Sequence, residues 1–307
     1  MAEITASEVK ALRDRTGAGM MDCKKALVAC EGDVEKSIDW LRKKGLSAAA
    51  KKSGRVAAEG LVGLYVDGNK GTVLEVNAET DFVARNDLFQ KYVSTVVEIA
   101  SKNDADLETL KNLAYPETGR NVSEELTNLI ATIGENMGLR RVSHLSVNDG
   151  VVASYVHNKI ADNLGKIGIL VGLESTADKS KLLELGKKIA MHIAAASPKS
   201  VNISDLDPEV VARERDVVTE QAKNSGKKEE FIPKIVEGRL SKFYGEVVLT
   251  EQIFVIDGTS KVKDVIAQAE KDLGAPIRIV GFKKFVLGEG IEKQAVDFAA
   301  EVAAQLN

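Results

Sequence analysis

The chain has 307 residues, 44% of them hydrophobic and 29% charged, with a formal net charge of −4. That length accommodates two or three domains and a sizeable core, and the acidic balance excludes a whole-molecule bias toward nucleic acid. No apolar run approaches the ~20 residues of a membrane span, and Met1-Ala2-Glu3-Ile4-Thr5 lacks the basic-then-apolar order of a signal peptide, so a cytoplasmic protein is expected.

Residues 1–45 read as three short helices. Thr5 is placed to cap the first, with Glu8 closing a capping box and Ile4 and Val9 forming a hydrophobic staple; Gly17 stops it. The second spans Met20 to Cys30. Its two cysteines, Cys23 and Cys30, lie about two turns apart, too far for a disulfide, and no histidine is near for zinc. Asp33 caps the third helix, Val34, Ile38 and Leu41 share its apolar face, and Gly45 is expected to close it. Residues 46–59 read as a polar linker. Residues 1–55 together hold 12 Lys/Arg against 8 Asp/Glu. That basic surplus suits an acidic protein surface, a phosphate backbone or simply a solvated helical face. A bundle so small buries little and reads as a docking module rather than an active site.

A hairpin follows, Gly60 to Val66 returning as Gly71 to Asn77 through Asp67-Gly68-Asn69. A helix is expected from Asn86 to Lys102. A second carries Leu126, Leu129, Ile130, Ile133 and Met137 on one face, and a strand runs from Leu139 to Val147. Around Gly150 the pattern restarts. Gly60-Leu61-Val62-Gly63-Leu64-Tyr65-Val66 is echoed by Gly150-Val151-Val152-Ala153-Ser154-Tyr155-Val156, with a return at Gly168 to Leu173 and a helix from Lys179 to Ala195. The order of elements implies a duplicated α+β core with antiparallel sheets. Residues 208–242 depart from the repeat: two charged helices, Glu209 to Ser225 and Glu229 to Phe243, broken at Gly226, form an expected antiparallel arm. Strands are expected at Glu246 to Val255 and Ile277 to Phe285, and a last helix from Lys293 to Ala304. The expected units are 1–55, 56–147, 148–285 with the arm 208–242 inserted, and 286–307.

Between the first hairpin and its helix stands Thr80-Asp81-Phe82-Val83-Ala84-Arg85-Asn86-Asp87. An aromatic at such a junction has two readings. It packs into its own core, the common fate of a Phe after a strand, or it inserts into a partner's groove, where burial is worth about 1.5–3 kcal/mol. Catalytic patterns are missing. His144, His157 and His192 stand apart in sequence, and there is no H-E-x-x-H, G-x-S-x-G or G-x-G-x-x-G. Gly288-Glu289-Gly290-Ile291-Glu292-Lys293 is acidic where a phosphate would sit. Aromatics are only 5%, too few and too scattered for an RNA-stacking platform. These absences favour a protein-binding protein over an enzyme, with no cofactor and no metal expected. An adaptor or RNA-binding protein using the basic residues 1–55 is the alternative; its RNA affinity would fall steeply with salt.

The wording of several segments is specific. Arg15-Thr16-Gly17-Ala18-Gly19-Met20-Met21-Asp22-Cys23-Lys24-Lys25-Ala26-Leu27 resembles the N-terminal signature of the bacterial elongation factor Ts family, and Thr80-Asp81-Phe82-Val83-Ala84-Arg85-Asn86 its second signature. Ile133-Gly134-Glu135-Asn136, Met191-His192-Ile193-Ala194-Ala195, Val236-Glu237-Gly238-Arg239 and Gly288-Glu289-Gly290-Ile291-Glu292-Lys293 match further on, in family order. Ala78 replaces a cysteine of some members, and Arg85 stands where lysine is common. The resemblance implies a ubiquitin-associated-like three-helix domain, a coiled-coil arm and a C-terminal helical module around the core. It implies guanine-nucleotide exchange on elongation factor Tu, a GTPase that carries aminoacyl-tRNA to the ribosome, with no nucleotide, membrane or nucleic acid bound by the chain itself. The implied contacts are Lys24, Met20 and Met21 on the N-terminal module; Thr80, Asp81, Phe82 and Val83; Ile133 and Gly134; His157; and Val255 with Ile256. Met20 and Met21 read equally well as core fillers, His157 as a surface or core histidine, and Val255 and Ile256 as strand core. Whether the arm joins two copies of the chain or meets the partner stays open at the level of sequence.

Overall fold

Local capping chemistry sets the first three helices. A computed structural model describes residues 4–224 and 228–292. It opens with α1 (Ala6–Thr16), α2 (Met20–Ala29) and α3 (Val34–Lys52). The Thr5 hydroxyl accepts from Glu8 N–H, the Glu8 carboxylate accepts from Thr5 N–H at 2.8 Å, and Gly17 ends α1 in the left-handed region. Val9, Leu12, Cys23, Ala26 and Leu27 make the small core, with Ile4 packed against it. Gly45 does not close α3, and the expected linker is helical as far as Lys52. A helical glycine costs only about 1 kcal/mol. Here the alanine-rich turn Ala48-Ala49-Ala50 and the burial of Gly45 outweigh that cost.

The hairpin β1 (Glu59–Asp67) and β2 (Lys70–Ala78) turns at Gly68-Asn69. A 3₁₀ turn, Val83–Arg85, leads to α4 (Asp87–Asn103), α5 (Leu107–Asn112), α6 (Val122–Ile133) and β3 (Met137–Ser146), which pairs antiparallel with β2. Met137 lies in β3 rather than on the helix, because Gly134 ends α6 in the left-handed region. The six-residue α5 is too short to leave a periodic trace in the sequence. The second half repeats the order: β4 (Gly150–Ala161), β5 (Leu164–Glu174), α7 (Lys179–Ala196), then α8 (Pro208–Asn224), α9 (Ile232–Val247), α10 (Val262–Leu273) and β6 (Arg278–Val286), antiparallel to β5. The two meanders join where Val62 and Gly63 pair with Gly165 and Leu164, giving one antiparallel sheet in an α+β fold.

The two halves share their irregularities. Gly60 and Gly150 both have positive φ, and a Cβ at either would lie 2.2 and 2.0 Å from the carbonyl oxygens of Val76 and Leu173. The third strands shift register beside the same partners, between Glu75 and Val76 and between Gly172 and Leu173. Phe89, Tyr92, Val93 and Val96 of α4 fill the first core, Leu182, Leu185, Ile189 and Ile193 of α7 the second, and Val62, Leu64, Val73, Val152 and Leu170 a third.

The expected strand at 246–255 is absent. α9 runs to Val247, a 3₁₀ turn covers Leu249–Glu251, and the chain continues as a turn. Val248 and Leu249 are buried as a strand would bury them, but their backbone partners are irregular: Leu249 N–H donates to Ser200 O and Thr250 N–H to Val201 O. An apolar run reports burial and cannot by itself distinguish a strand from a paired loop. α10, not among the expected elements, carries Val262, Val265, Ile266, Ala269 and Leu273 at helical spacing. α8 and α9 pack through Val218, Ala222, Val236 and Leu240. The expected break at Gly226, the last residue of the first arm helix and the helix from Lys293 to Ala304 lie outside the described residues.

The segment after β6 is tied back by a buried charge. Glu75 is fully buried; its Oε1 accepts from Asn77 Nδ2 (2.9 Å), Arg140 Nη1 (2.9 Å) and Gly288 N–H (2.8 Å), and its Oε2 from Arg141 Nε (2.6 Å). Arg141 also lies over the Phe285 ring, 4.2 Å from its centroid. The motif at Gly288 is thus a structural clasp.

Candidate functional site

The junction after β2 is held from both sides. Val83 and Ala84 are buried in the first core, and the Asn86 side chain caps α4, accepting from Leu88 N–H (2.9 Å) and Phe89 N–H (3.3 Å). Upstream, the Glu135 carboxylate accepts from Thr80 twice, from its N–H at 3.0 Å and its hydroxyl at 2.7 Å. Glu79 accepts from Asn136 N–H (2.5 Å) and Arg55 (3.4 Å), and Asn136 Nδ2 donates to Arg55 O (2.7 Å). Between these anchors Asp81 is exposed, and the Phe82 ring projects with 80% of its surface exposed. The backbone is fixed while the ring is free, an arrangement that presents an aromatic without backbone ordering cost on contact.

Removing the Glu135 clamp tests this arrangement. Glu135→Ala is expected to lower stability by about 1.5–3 kcal/mol, the range for lost bonds to a charged group, and to speed amide exchange at Thr80. Urea midpoints and exchange rates check both; an unchanged Thr80 rate would show that the clamp is dispensable.

The structure brings Ile133 and Gly134 to the corner, since they end α6 immediately before Glu135. The other expected residues stand elsewhere. Lys24, Met20 and Met21 are exposed on α2, Met21 by 64%, so the methionines are not core fillers. His157 is exposed on β4, with its Nδ1 3.1 Å from the Tyr155 hydroxyl. Val255 and Ile256 lie in the turn after Leu249–Glu251 and are 46% and 48% exposed; they are not strand core.

One group at that turn carries no signal in residue type alone. His192, buried on α7, has Nε2 2.9 Å from Gln252 Oε1, and its Nδ1 accepts the Val255 N–H at 3.2 Å. Gln252 Nε2 donates to Ala196 O (3.3 Å) and Glu246 O (2.8 Å), so its oxygen must face the ring. The imidazole is therefore neutral, with its hydrogen on Nε2. Burial pushes its pKa down, against the opposing pull of the Gln252 bond. The unfolded chain takes up this proton near the usual value of about 6.5, before the folded chain does. Stability from this site is thus complete above that pH and falls as pH drops toward the folded value. The stability gap between wild type and the non-titrating His192→Asn should narrow from pH 7.5 to 5.5, measured as urea midpoints; a constant gap would exclude the linkage.

Among the described residues no group of three or more His, Cys, Asp or Glu could hold a metal ion, and no helix is long and apolar enough to cross a membrane. A cleft of about 910 Å³ is lined by the N-terminal helices and by α6, beside the contact of α3 with α6. Charged groups on its walls pair with one another: Arg15 with Glu35 (2.9 Å), Lys44 with Asp22 (2.5 Å), and Arg42 with Glu124 across the cleft.

Fold and corner together define an α+β scaffold whose most exposed large apolar side chain, among the described residues, is set by a rigid backbone. The Elongation factor TS family model matches residues 79–289, from the residue before the Thr80 corner to the Gly288-Glu289 clasp. The chain is 62% identical to the elongation factor Ts of Rhodospirillum rubrum over 307 residues, covering 100% of this chain and 99% of that one. It is 61% identical to that of Paramagnetospirillum magneticum over 305 residues, 99% and 98% of the two chains, and 59% identical to that of Rhodospirillum centenum over 304 residues, 99% of each. The chain belongs to the elongation factor Ts family, a family of translation elongation factors.

Proposed function

We propose that this chain is the guanine-nucleotide exchange factor of elongation factor Tu. The observation that carries the reading is Phe82, a ring 80% exposed on a corner clamped by Glu135 and anchored by Val83 and Ala84. In this reading the ring enters between two helices of the GTPase, beside its magnesium and phosphate loop. Displacing those helices weakens metal coordination and the grip of oriented backbone N–H groups on the diphosphate. Asp81, exposed beside the ring, meets groups near the same site. The chain itself makes and breaks no bond; nucleotide and metal belong to the partner.

Reciprocal coupling supplies the energetics. If the exchange factor and GDP favour different states of one protein, each weakens the other's binding by the same factor. A hundredfold loss of nucleotide affinity requires about 2.7 kcal/mol, and burying one Phe yields about 1.5–3 kcal/mol, only part of it differential. Ile133 and Gly134 beside the corner, and His157, Val255 and Ile256 in the second half, supply the remainder. The basic residues 1–55 act as a ubiquitin-associated-like docking module, with Lys24, Met20 and Met21 turned outward on α2. Residues 56–147 and 148–285 are the two halves of the core. Residues 208–242 form a coiled-coil arm available to the partner or to a second copy, and 286–307 a C-terminal module. The protein works in the cytoplasm without contacting membrane or nucleic acid.

Stopped-flow release of fluorescent GDP from elongation factor Tu tests the proposal. Adding the chain should speed release by about a hundredfold, the factor that about 2.7 kcal/mol of coupling would give. An unchanged rate would remove the exchange function.

A further inference from the structure

We infer that His192 is a positioning residue for partner docking: it fixes the exposed Val255–Ile256 turn through a single hydrogen bond to the Val255 backbone. The inference rests on the reading that this turn meets elongation factor Tu.

The turn has two kinds of support. Some of it is local: Phe254 N–H donates to Ser260 O at 2.8 Å, Gly258 N–H to Phe254 O at 2.8 Å, and Asp257 Oδ1 accepts from Thr259 and Ser260 N–H. These bonds close the loop on itself, and its base is held by Val262 N–H donating to Gln252 O at 3.0 Å and by the pairing of Ile253 with Lys261. The tip itself is oriented by two contacts with α7. The Phe254 ring is buried against the His192 ring at 5.7 Å between centroids, and Val255 N–H donates to His192 Nδ1 at 3.2 Å. Val255 and Ile256 follow immediately and face solvent, with Ile253 half exposed on the other side of Phe254. An apolar tip that binds another surface loses affinity for every degree of freedom it must surrender on contact, so a fixed tip binds better than a loose one.

The hydrogen-bond chain leaves the imidazole no choice of role. Both amide hydrogens of Gln252 are taken by the carbonyls of Ala196 and Glu246, so its oxygen faces His192 Nε2. Nε2 must donate, and Nδ1 is left as the acceptor that Val255 needs. α7 and the end of α9 thereby dictate, through Gln252 and His192, where the tip of the turn lies. A histidine serving only to fill space would need neither polarity.

Two substitutions separate positioning from packing. The amide oxygen of Asn occupies the place of Nδ1, so His192→Asn keeps an acceptor for Val255 and loses the bond to Gln252. The terminal amide of Gln occupies the place of Nε2, so His192→Gln keeps the bond to Gln252 and loses the acceptor. Each variant gives up one buried bond and one ring, so both should lower Tm to a similar extent. Amide exchange at Val255, measured on the full chain without partner, should speed about tenfold in His192→Gln and stay within about threefold in His192→Asn, the factors expected for one bond lost or kept. Affinity for elongation factor Tu, measured by calorimetric titration, should divide the same way. Ile256→Ser, an exposed change, should weaken binding about tenfold with Tm unchanged, the scale of one lost apolar contact. Equal exchange rates at Val255 in the two histidine variants would overturn the latch. Equal affinities in the presence of unequal exchange rates would overturn its link to docking. If wild type fails to bind elongation factor Tu while the exchange rates divide as expected, the latch stands and the partner assignment falls.

Discussion

Phe82→Ala is expected to slow stimulated GDP release by about tenfold while leaving Tm unchanged to within about 1 °C. The rate effect follows from the differential part of the burial energy of one aromatic, about half of the ~3 kcal/mol at the top of its range, spent on the partner rather than on the fold. Unchanged stability follows from the 80% exposure of the ring, because truncating an exposed side chain removes little buried area. Phe82→Leu keeps a bulky apolar group without the flat ring and should fall between wild type and alanine. Asp81→Ala, beside the ring, tests the acid separately. Stopped-flow release with fluorescent GDP and thermal melts on the same samples decide the matter. A variant that melts early would show the ring serving the fold, and one that still releases GDP at the full rate would take Phe82 out of the mechanism.

Glu75→Gln is expected to destabilise the protein by about 3 kcal/mol, the lower end of the range for breaking a buried ion pair. The partly exposed guanidinium groups of Arg140 and Arg141 keep the loss from reaching the upper end. The four bonds to this carboxylate come from β2, β3 and the Gly288 loop, so the amide presents a donor where the site supplies only donors. The loop should be released first, and limited proteolysis near Gly288 would reveal it. Burial alone would raise this carboxyl's pKa; the Gly288 N–H, Asn77, Arg140 and Arg141 together outweigh burial and hold it below the usual value. Its contribution is therefore complete above about pH 4.5, the usual value, and is lost as pH falls through the lower folded value. Glu75→Gln should flatten that part of the acid-unfolding curve. Equal urea midpoints for wild type and variant would show that the clasp contributes nothing.

Much of the architecture was readable from short-range chemistry. The Thr5–Glu8 box, the left-handed stop at Gly17, the Gly68-Asn69 turn and the restart of the strand pattern at Gly150 each involve residues a few positions apart. Errors arose where burial came from afar. Gly45 has the composition of a helix stop, but α3 continues through it because the segment packs against α6. The run Val247-Val248-Leu249 has the composition of a strand, but its backbone partners lie on the Ser200 segment, which no local pattern announces. Met137 continued the apolar spacing of α6, but the left-handed Gly134 turns the chain into β3 before it.

The candidate site divides in the same way. Sequence alone determined which residues stand at the junction after β2 and, through its signatures, which family's pattern they follow. It did not determine which way Phe82 faces. Phe82 and Phe89 are the same side chain seven residues apart; one is 80% exposed and the other is sealed in the first core. Composition and hydropathy assign them the same inward tendency. Their opposite fates were decided by tertiary structure, because Val83, Ala84 and Phe89 fill the space beneath the junction and Glu135, 55 residues from Thr80, holds the backbone so that Phe82 points away from it. The same holds for His192, whose role exists only because Gln252 and Val255, 60 and 63 residues on, come to rest on either side of its ring.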